Sequence, residues 1–437
     1  MTLLIISPDY ASHLYPLATL GTAWAQAGER VVVASGPATA HIVTEFGFER
    51  EHLQLGRGSN PGTIRVDQQP TGEDDALRGF FDATRRGMVD TLRFQAQARS
   101  NDLLYNPVAI ARAVQRIVAR VQPDQVIVDH LAFSARLGLL SAGVPYADVL
   151  LGHPSALPVG REVYGYPPAW PAVFSPEPQE LALLELQCEA VRDEFTAQWN
   201  DALRELDPNA APSRDAFQEC GDLLLLNYPS ELHPQARTDV LPPHVFLGSA
   251  VRSEAEDPEV EAWLAQSSLP VVYVSFGSFL SVRGDVLARV TSALRDLPVR
   301  VALAVGATSP ADLGPVPDSW LVRGFLPQVR LLQQAALAVT HGGNNSVTEA
   351  MTAGVPLVVL PFSTDQFAGA AALDAAGVGT SLPPNTATVA DLRDACERML
   401  RLAGDPRARL DTLAEALTAH PGAARAYAAF SRVPAGS

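Results

Sequence analysis

The chain contains no lysine: all 32 of its basic residues are arginine. A P-loop needs a lysine on the nucleotide phosphates and a pyridoxal enzyme needs a Schiff-base lysine, so both classes are excluded. A phosphorylated ligand would have to be met by helix N-termini, histidine, arginine or hydroxyls. Cysteine is scarce as well. Cys188, Cys220 and Cys396 are scattered without metal-ligand spacing, and an odd count argues against a disulfide framework. No apolar run approaches the length needed to span a bilayer, and the greasiest stretch, 223–226, is strand-sized. The first residues enter a strand-like segment without a basic n-region, so no secretory signal is expected. These absences lead to the expectation of a reduced, cytoplasmic protein without an integral membrane segment. Positive charge is also short. Forty-eight acidic residues give a formal net charge of −16, which argues against nucleic acid or an anionic membrane surface as partner.

What is present is a globular composition, 47% hydrophobic and 18% charged, over 437 residues, a length that favours two domains. Strand-like and helix-like segments alternate through the first half. Residues 3–7, 30–35, 125–129, 144–150 and 223–226 read as strands; 15–27, 38–45, 75–99, 107–121, 131–142 and 179–206 read as helices. Two irregular stretches, 55–75 and 153–178, interrupt the pattern, and the second is dense in proline and aromatics (Tyr164, Tyr166, Trp170, Phe174). The proline-bearing segment that follows 223–226 suits a linker, placed at 236–257. Alternation then resumes, with strands at 271–275, 301–305, 321–323, 336–340 and 357–360 and helices at 285–296, 331–335, 347–353, 366–376 and 389–402. Such alternation predicts parallel sheets covered by helices, here an α/β chain of two domains whose ligand crevice lies at the carboxyl ends of the strands. The domains are expected at 1–235 and 258–415, with a last segment at 416–437.

The most specific stretch runs from Phe325 to Gln366: Phe-Leu-Pro-Gln, then Thr-His-Gly-Gly-Asn-Asn-Ser-Val-Thr-Glu-Ala, then Gly-Val-Pro, then Pro-Phe-Ser-Thr-Asp-Gln. A strand ends at His341, Gly342 and Gly343 turn tightly, and Asn345 or Ser346 caps the next helix. A turn of small residues opening a helix presents free N–H groups and a positive dipole end, which suits an anion. His341 and Ser346 add side-chain donors. Glu349 lies one helical turn beyond Ser346, placed to accept from ribose hydroxyls. Asp365 and Gln366 open a further helix, where a carboxylate and an amide can bind sugar hydroxyls. Read without these neighbours, His-Gly-Gly is only a glycine turn with a loop histidine.

This segment resembles the donor-binding signature of the family 1 glycosyltransferases. Pro327-Gln328, His341, Gly343, Asn345-Ser346, Glu349, Gly354-Val355-Pro356 and Asp365-Gln366 stand in the family's order, and the likeness runs roughly over 271–402. The resemblance implies a GT-B fold, two Rossmann-like domains facing each other across a cleft, with acceptor bound by the first and nucleotide sugar by the second. It implies that His341 and Ser346 contact the diphosphate, Gln328 lies near the base, Glu349 binds the ribose, and Asp365 and Gln366 bind the transferred sugar. Ser275-Phe276-Gly277-Ser278 is similar to the family's first loop in that domain and puts Ser278 near the phosphates. Phe325 stands where plant members carry the tryptophan that stacks on uracil, and Asn344 where they carry a second one. The final helix, around 422–430, is implied to cross back and brace the first domain.

In the other half, Ser12-His13-Leu14-Tyr15-Pro16 follows the first strand. A histidine there projects from the strand's carboxyl end into the crevice and titrates in the range useful to a base. Its second ring nitrogen needs an acceptor. Asp129, at the end of another strand, is the first candidate, and Asp9 competes. His130 sits beside Asp129, and His153 and His41 read as loop or surface histidines. The arrangement resembles the family's catalytic dyad.

The reaction expected is inverting transfer of a sugar from a nucleotide donor, UDP-glucose in the first instance, to a hydroxyl of a small hydrophobic or aromatic acceptor. No cofactor beyond that co-substrate is called for, and with no Asp-x-Asp clamp near the donor segment no obligatory metal is implied. The aromatics of the second irregular stretch suit a polyketide or phenolic acceptor bound under the two stretches; loop packing explains them equally. Two rival functions share the sequence features, a sugar-nucleotide epimerase and a catalytically silent nucleotide-binding partner of another transferase.

Overall fold

The computed structural model describes residues 1–60, 73–99 and 103–432. Seven parallel strands form the first sheet: β1 (Thr2–Ile6), β2 (Arg30–Ser35), β3 (Glu49–His52), β4 (Gln125–Asp129), β5 (Ala147–Leu150), β6 (Leu223–Leu226) and β7 (His244–Phe246). Their spatial order is β3-β2-β1-β4-β5-β6-β7. The second sheet has six parallel strands: β8 (Val271–Ser275), β9 (Arg300–Ala304), β10 (Leu321–Arg323), β11 (Ala335–Thr340), β12 (Leu357–Val359) and β13 (Gly379–Ser381), in the order β10-β9-β8-β11-β12-β13. Strand order reverses between β1 and β4 in one sheet and between β8 and β11 in the other. Those two points are where a doubly wound sheet opens a crevice.

The continuous apolar runs of β1 and β8 follow from burial on both faces. Leu3 and Ile5 pack with Leu14, Leu17 and Trp24 on one face of the first sheet, while Leu4 and Ile6 pack with Ile110 and Val114 on the other. In the second sheet Val272 and Val274 face Val290 and Leu303, and Tyr273 faces Met351 and Leu331. The helix Gly422–Arg432 returns to the first domain, where Tyr427 and Phe430 meet the edge of the Trp24 indole at 5.1 and 5.6 Å.

Several elements depart from the sequence expectation. The helix expected at 75–99 is two helices, Glu73–Arg86 and Met88–Arg99, broken at Gly87 with φ +132°. The first sends Leu77, Phe80 and Phe81 into the core of the second domain, so this pair straps the two domains together. Strand β3 (Glu-Arg-Glu-His) is a charged sheet edge, and β13 is a three-residue strand; neither carries an apolar period to read. Strand β7 lies inside the stretch assigned to the linker. Its parallel pairing with β6 extends the first sheet to Phe246, beyond the expected boundary at residue 235, and the crossover between domains begins after it. Of the irregular stretch 55–75, residues 61–72 lie outside the described residues. Among the described residues no helix is long and apolar enough to cross a membrane, and no group of three or more His, Cys, Asp or Glu is placed to hold a metal ion.

Candidate active site

Both switch points open into one cleft of about 390 Å³. His13, Asp129 and His130 line it from the first domain, and Gly277, His341, Gly343, Asn345, Ser346, Asp365 and Gln366 line it from the second.

His13 sits in the first turn of the helix Ala11–Gln26, which starts a turn earlier than its sequence suggests. Its Nδ1 is 2.7 Å from Asp129 Oδ2, and the imidazole is about a quarter exposed while Asp129 is buried. A carboxylate only accepts, so Nδ1 carries the proton and Nε2 presents its lone pair. Asp129 is itself fixed, because Oδ1 accepts from the Leu131 amide at 2.8 Å. Burial pulls the His13 pKa down, but Asp129, and Asp365 across the cleft, overcome it and raise the value above 6.5. Asp9 is not the partner. Its two oxygens accept from the Thr39 amide and hydroxyl, both at 2.9 Å, and from the Ala38 amide at 3.1 Å, pinning the loop after β2.

Across the cleft, β11 ends at His341 and the helix Asn344–Thr352 begins. Its cap is Gly343, not Asn345 or Ser346, and no side chain caps it. The first N–H groups of that helix are therefore without an intrahelical or side-chain partner, the condition for holding an anion. Two glycines make room for the Cε1–Nε2 edge of the His341 ring: a Cβ at Gly277 (φ +67°) would come within 2.9 Å of its Cε1, and a Cβ at Gly343 would land on its Nε2. Burial pushes the imidazole down to about 4, against a smaller upward pull from the Ser275 backbone. The ring is therefore neutral at ordinary pH and can offer a hydrogen bond rather than a charge. The Ser278 side chain lies outside the described residues.

Behind that helix terminus Gln328 donates to Glu349 Oε2 at 2.6 Å and to Ser346 Oγ at 3.3 Å, and it accepts from the Tyr273 hydroxyl at 3.3 Å. Glu349 is buried, and Arg252 approaches its Oε1 at 3.2 Å. Phe325, two residues after β10, is 70% exposed.

Asp365 and Gln366 behave differently from each other. Asp365 Oδ2 accepts from the His153 amide of the first domain at 2.6 Å, and Thr364 before it adopts φ +48°, a conformation costly for a β-branched residue. Gln366 lines the cleft with part of its amide already engaged. Its Oε1 accepts from the Phe362 and Ser363 amides at 3.0 and 3.2 Å and its Nε2 donates to Ser363 Oγ at 3.2 Å, so it shapes the turn ahead of its own helix. His153 stands in a loop, one of the two readings of it, and is buried rather than at the surface. Burial, with Arg237 nearby, pushes its pKa down to about 3. His41 is exposed, as expected.

Contacts that sequence reasoning missed close the cleft. Pro16 has no N–H, so the Ser12 carbonyl loses its helical partner, and Asn345 Nδ2 donates to it from the other domain at 2.8 Å. Asn344 Nδ2 donates to the Leu151 and Asn227 carbonyls at 2.7 and 2.8 Å. Gly152 lets Asp365 approach: a Cβ there would lie 2.6 Å from Asp365 Oδ2. Gly152→Ala is accordingly expected to force the domains apart at this point. Nucleotide affinity, measured by calorimetry, should stay within about twofold, while any sugar-transfer rate falls about tenfold or more.

Two parallel-sheet, Rossmann-like domains that face each other across a cleft define the GT-B class of fold. The chain belongs to the UDP-glucoronosyl and UDP-glucosyl transferase family, which matches residues 181–404. It is 29% identical over 219 residues to the NDP-glycosyltransferase YjiC of Bacillus licheniformis, covering 50% of this chain and 54% of that one. To the oleandomycin glycosyltransferase of Streptomyces antibioticus it is 31% identical over 195 residues, 44% of each. The chain spans about half the length of the curated relatives it matches. The solved spinosyn rhamnosyltransferase SpnG, complexed with thymidine diphosphate, superposes with a TM-score of 0.65 at 18% identity over 99% of this chain and 100% of that one, which shows the shared fold.

Proposed function

We propose that the protein transfers a sugar from a nucleotide donor to a hydroxyl of a small hydrophobic or aromatic acceptor, with inversion at the anomeric carbon. The observation that carries this reading is the placement of His13–Asp129 and the uncapped start of the helix Asn344–Thr352 on facing walls of one cleft. His13 Nε2 takes the acceptor proton, and Asp129 stabilises the imidazolium that forms. The hydroxyl attacks from the face opposite the nucleotide. The leaving diphosphate is met by the helix N–H groups, His341 and Ser346, so charge is stabilised without an ammonium group or an obligatory metal.

Glu349 and Gln328 serve the ribose and base, Phe325 stacks on the base, and Asp365 takes sugar hydroxyls. Leu131, Leu150, Leu151, Tyr164, Tyr166 and Pro167 line the acceptor end and suit a flat apolar molecule such as a polyketide or phenolic. UDP-glucose is the first donor to try. The oleandomycin relative supports a small-molecule acceptor, and the thymidine diphosphate held by SpnG makes dTDP-sugars the necessary comparison.

A donor-by-acceptor screen read by product mass and nucleoside diphosphate release tests the reading. Acceptor-dependent release with a glycosylated product is expected. Epimerised donor without an acceptor adduct, or nucleotide binding with no turnover under any pair, would sink it.

A further inference from the structure

Arg252 occupies a position that the proposed chemistry does not use. It lies in the crossover after β7, its side chain is only 18% exposed, and it touches three parts of the molecule. Its Nη1 is 3.2 Å from Glu349 Oε1 on the donor helix. Its Nη2 is 2.5 Å from Glu254 Oε1 in the same crossover, and its guanidinium stands 5.1 Å from the centre of the Tyr15 ring, two residues from His13. Glu254 is held in turn, since its Oε2 accepts from the Arg330 amide at 3.1 Å. No arginine lines the cleft among the described residues, which makes Arg252 a cation set behind the donor site rather than in it.

We infer that Arg252 is the positioning residue of the donor site: acting through Glu349, it keeps that carboxylate charged and turned toward the ribose diol, and so sets donor affinity. The inference rests on the reading of Glu349 as the ribose ligand. Each carboxylate oxygen has two acceptor positions. One on Oε1 is filled by Arg252 and one on Oε2 by Gln328, leaving one on each for a vicinal pair of hydroxyls. Arginine suits the place because its planar fork bridges two carboxylates while its face rests on an aromatic ring.

The groups facing Glu349 are Arg252 and Glu254 from the crossover, Gln328 with the Tyr273 hydroxyl behind it, and Ser346. Burial raises the Glu349 pKa and Arg252 opposes that rise, with Gln328 adding to the opposition and Glu254 working against it. Removing Arg252 therefore moves the carboxyl further up, and its protonated form, unable to accept from both hydroxyls, gains population as pH falls.

The test is calorimetric binding of UDP and of UMP to the full chain from about pH 6 to about pH 8.5, for wild type, Arg252→Gln, Arg252→Lys and Glu349→Gln. Arg252→Gln is expected to weaken both nucleotides about tenfold or more and by the same factor, with the loss growing toward low pH. Donor KM should rise more than kcat falls. Arg252→Lys, which restores a cation, should recover the flat pH response but only part of the affinity.

A loss several-fold larger for UDP than for UMP would show direct contact with the phosphates and overturn the inference. So would a pH-independent loss, or none. If Glu349→Gln binds UDP normally, the ribose reading itself fails. If Glu349→Gln is impaired and Arg252→Gln is not, only the role of Arg252 fails.

Discussion

Replacing His13 by alanine is expected to cut kcat for sugar transfer by about 10²–10⁴, the range a positioned general base supplies, while leaving nucleotide affinity within about twofold. The separation follows from geometry, because the imidazole belongs to the first domain and the anion-binding terminus to the second. Asp129→Asn carries a sharper signature. In the wild type Asp129 raises the His13 pKa above 6.5, so activity is lost as pH falls through that raised value and the base becomes protonated. An asparagine removes the anion. The imidazole pKa drops and the acidic limb of the kcat/KM profile moves to lower pH. The plateau also falls, about 10²-fold or more, because the amide neither fixes the tautomer nor stabilises the imidazolium. A rate profile measured over the two variants decides the matter. Full transfer by His13→Ala, or an acidic limb that stays put in Asp129→Asn, would remove His13 from the chemistry.

How much of this was legible in the sequence depended on whether each residue's environment is local. Strands buried on both faces wrote themselves as apolar runs, and 30–35, 125–129, 223–226, 271–275 and 321–323 coincide with β2, β4, β6, β8 and β10. The exposed edge β3, the proline-preceded β7 and the short β13 left no such trace. The placement of His13, Asp129 and the His341–Ser346 turn in one cleft could be anticipated because each follows a strand's carboxyl end in its own half. Contacts across the domains could not. Nothing near residue 252 indicates that an arginine reaches Glu349, and nothing near residue 152 indicates that a glycine admits Asp365. Gln366 has hydrogen bonds that its sequence did not announce: Oε1 accepts from the Phe362 and Ser363 amides, its near neighbours, and one Nε2 hydrogen goes to Ser363 Oγ.

Asn344 and Asn345 illustrate a related point. Both open the helix whose N–H groups are proposed for the diphosphate, yet their side chains turn the other way, to Leu151, Asn227 and Ser12. The same turn therefore presents backbone donors to an anion and side-chain donors to the opposite domain. On the proposed reading donor binding and domain closure share one element, and the missing N–H of Pro16 frees the Ser12 carbonyl that the closure uses.

The glycine that caps this helix gives the second large effect. Gly343→Ala places a methyl group on His341 Nε2, at the same Cε1–Nε2 edge of the ring that Gly277 leaves open. The imidazole must leave its place or the turn must widen. Either outcome displaces the first N–H groups of Asn344–Thr352 together with the only histidine on that wall of the cleft. Nucleotide affinity is expected to fall about 30-fold or more, because several hydrogen bonds to one anion are misaligned at once. The cost to folding should be modest, about 1–3 kcal/mol as for an overpacked site. It should also be less than that for a comparable insertion in the core, because the methyl enters at the wall of a cleft. Calorimetry with UDP and chemical denaturation of the same samples separate the two effects. His341→Ala provides the control: with the ring gone the methyl no longer clashes, so Gly343→Ala made in that background should cost little further affinity. If the two losses simply add, the close approach of His341 to the two glycines does not set the geometry of the anion site, and the diphosphate must be held elsewhere.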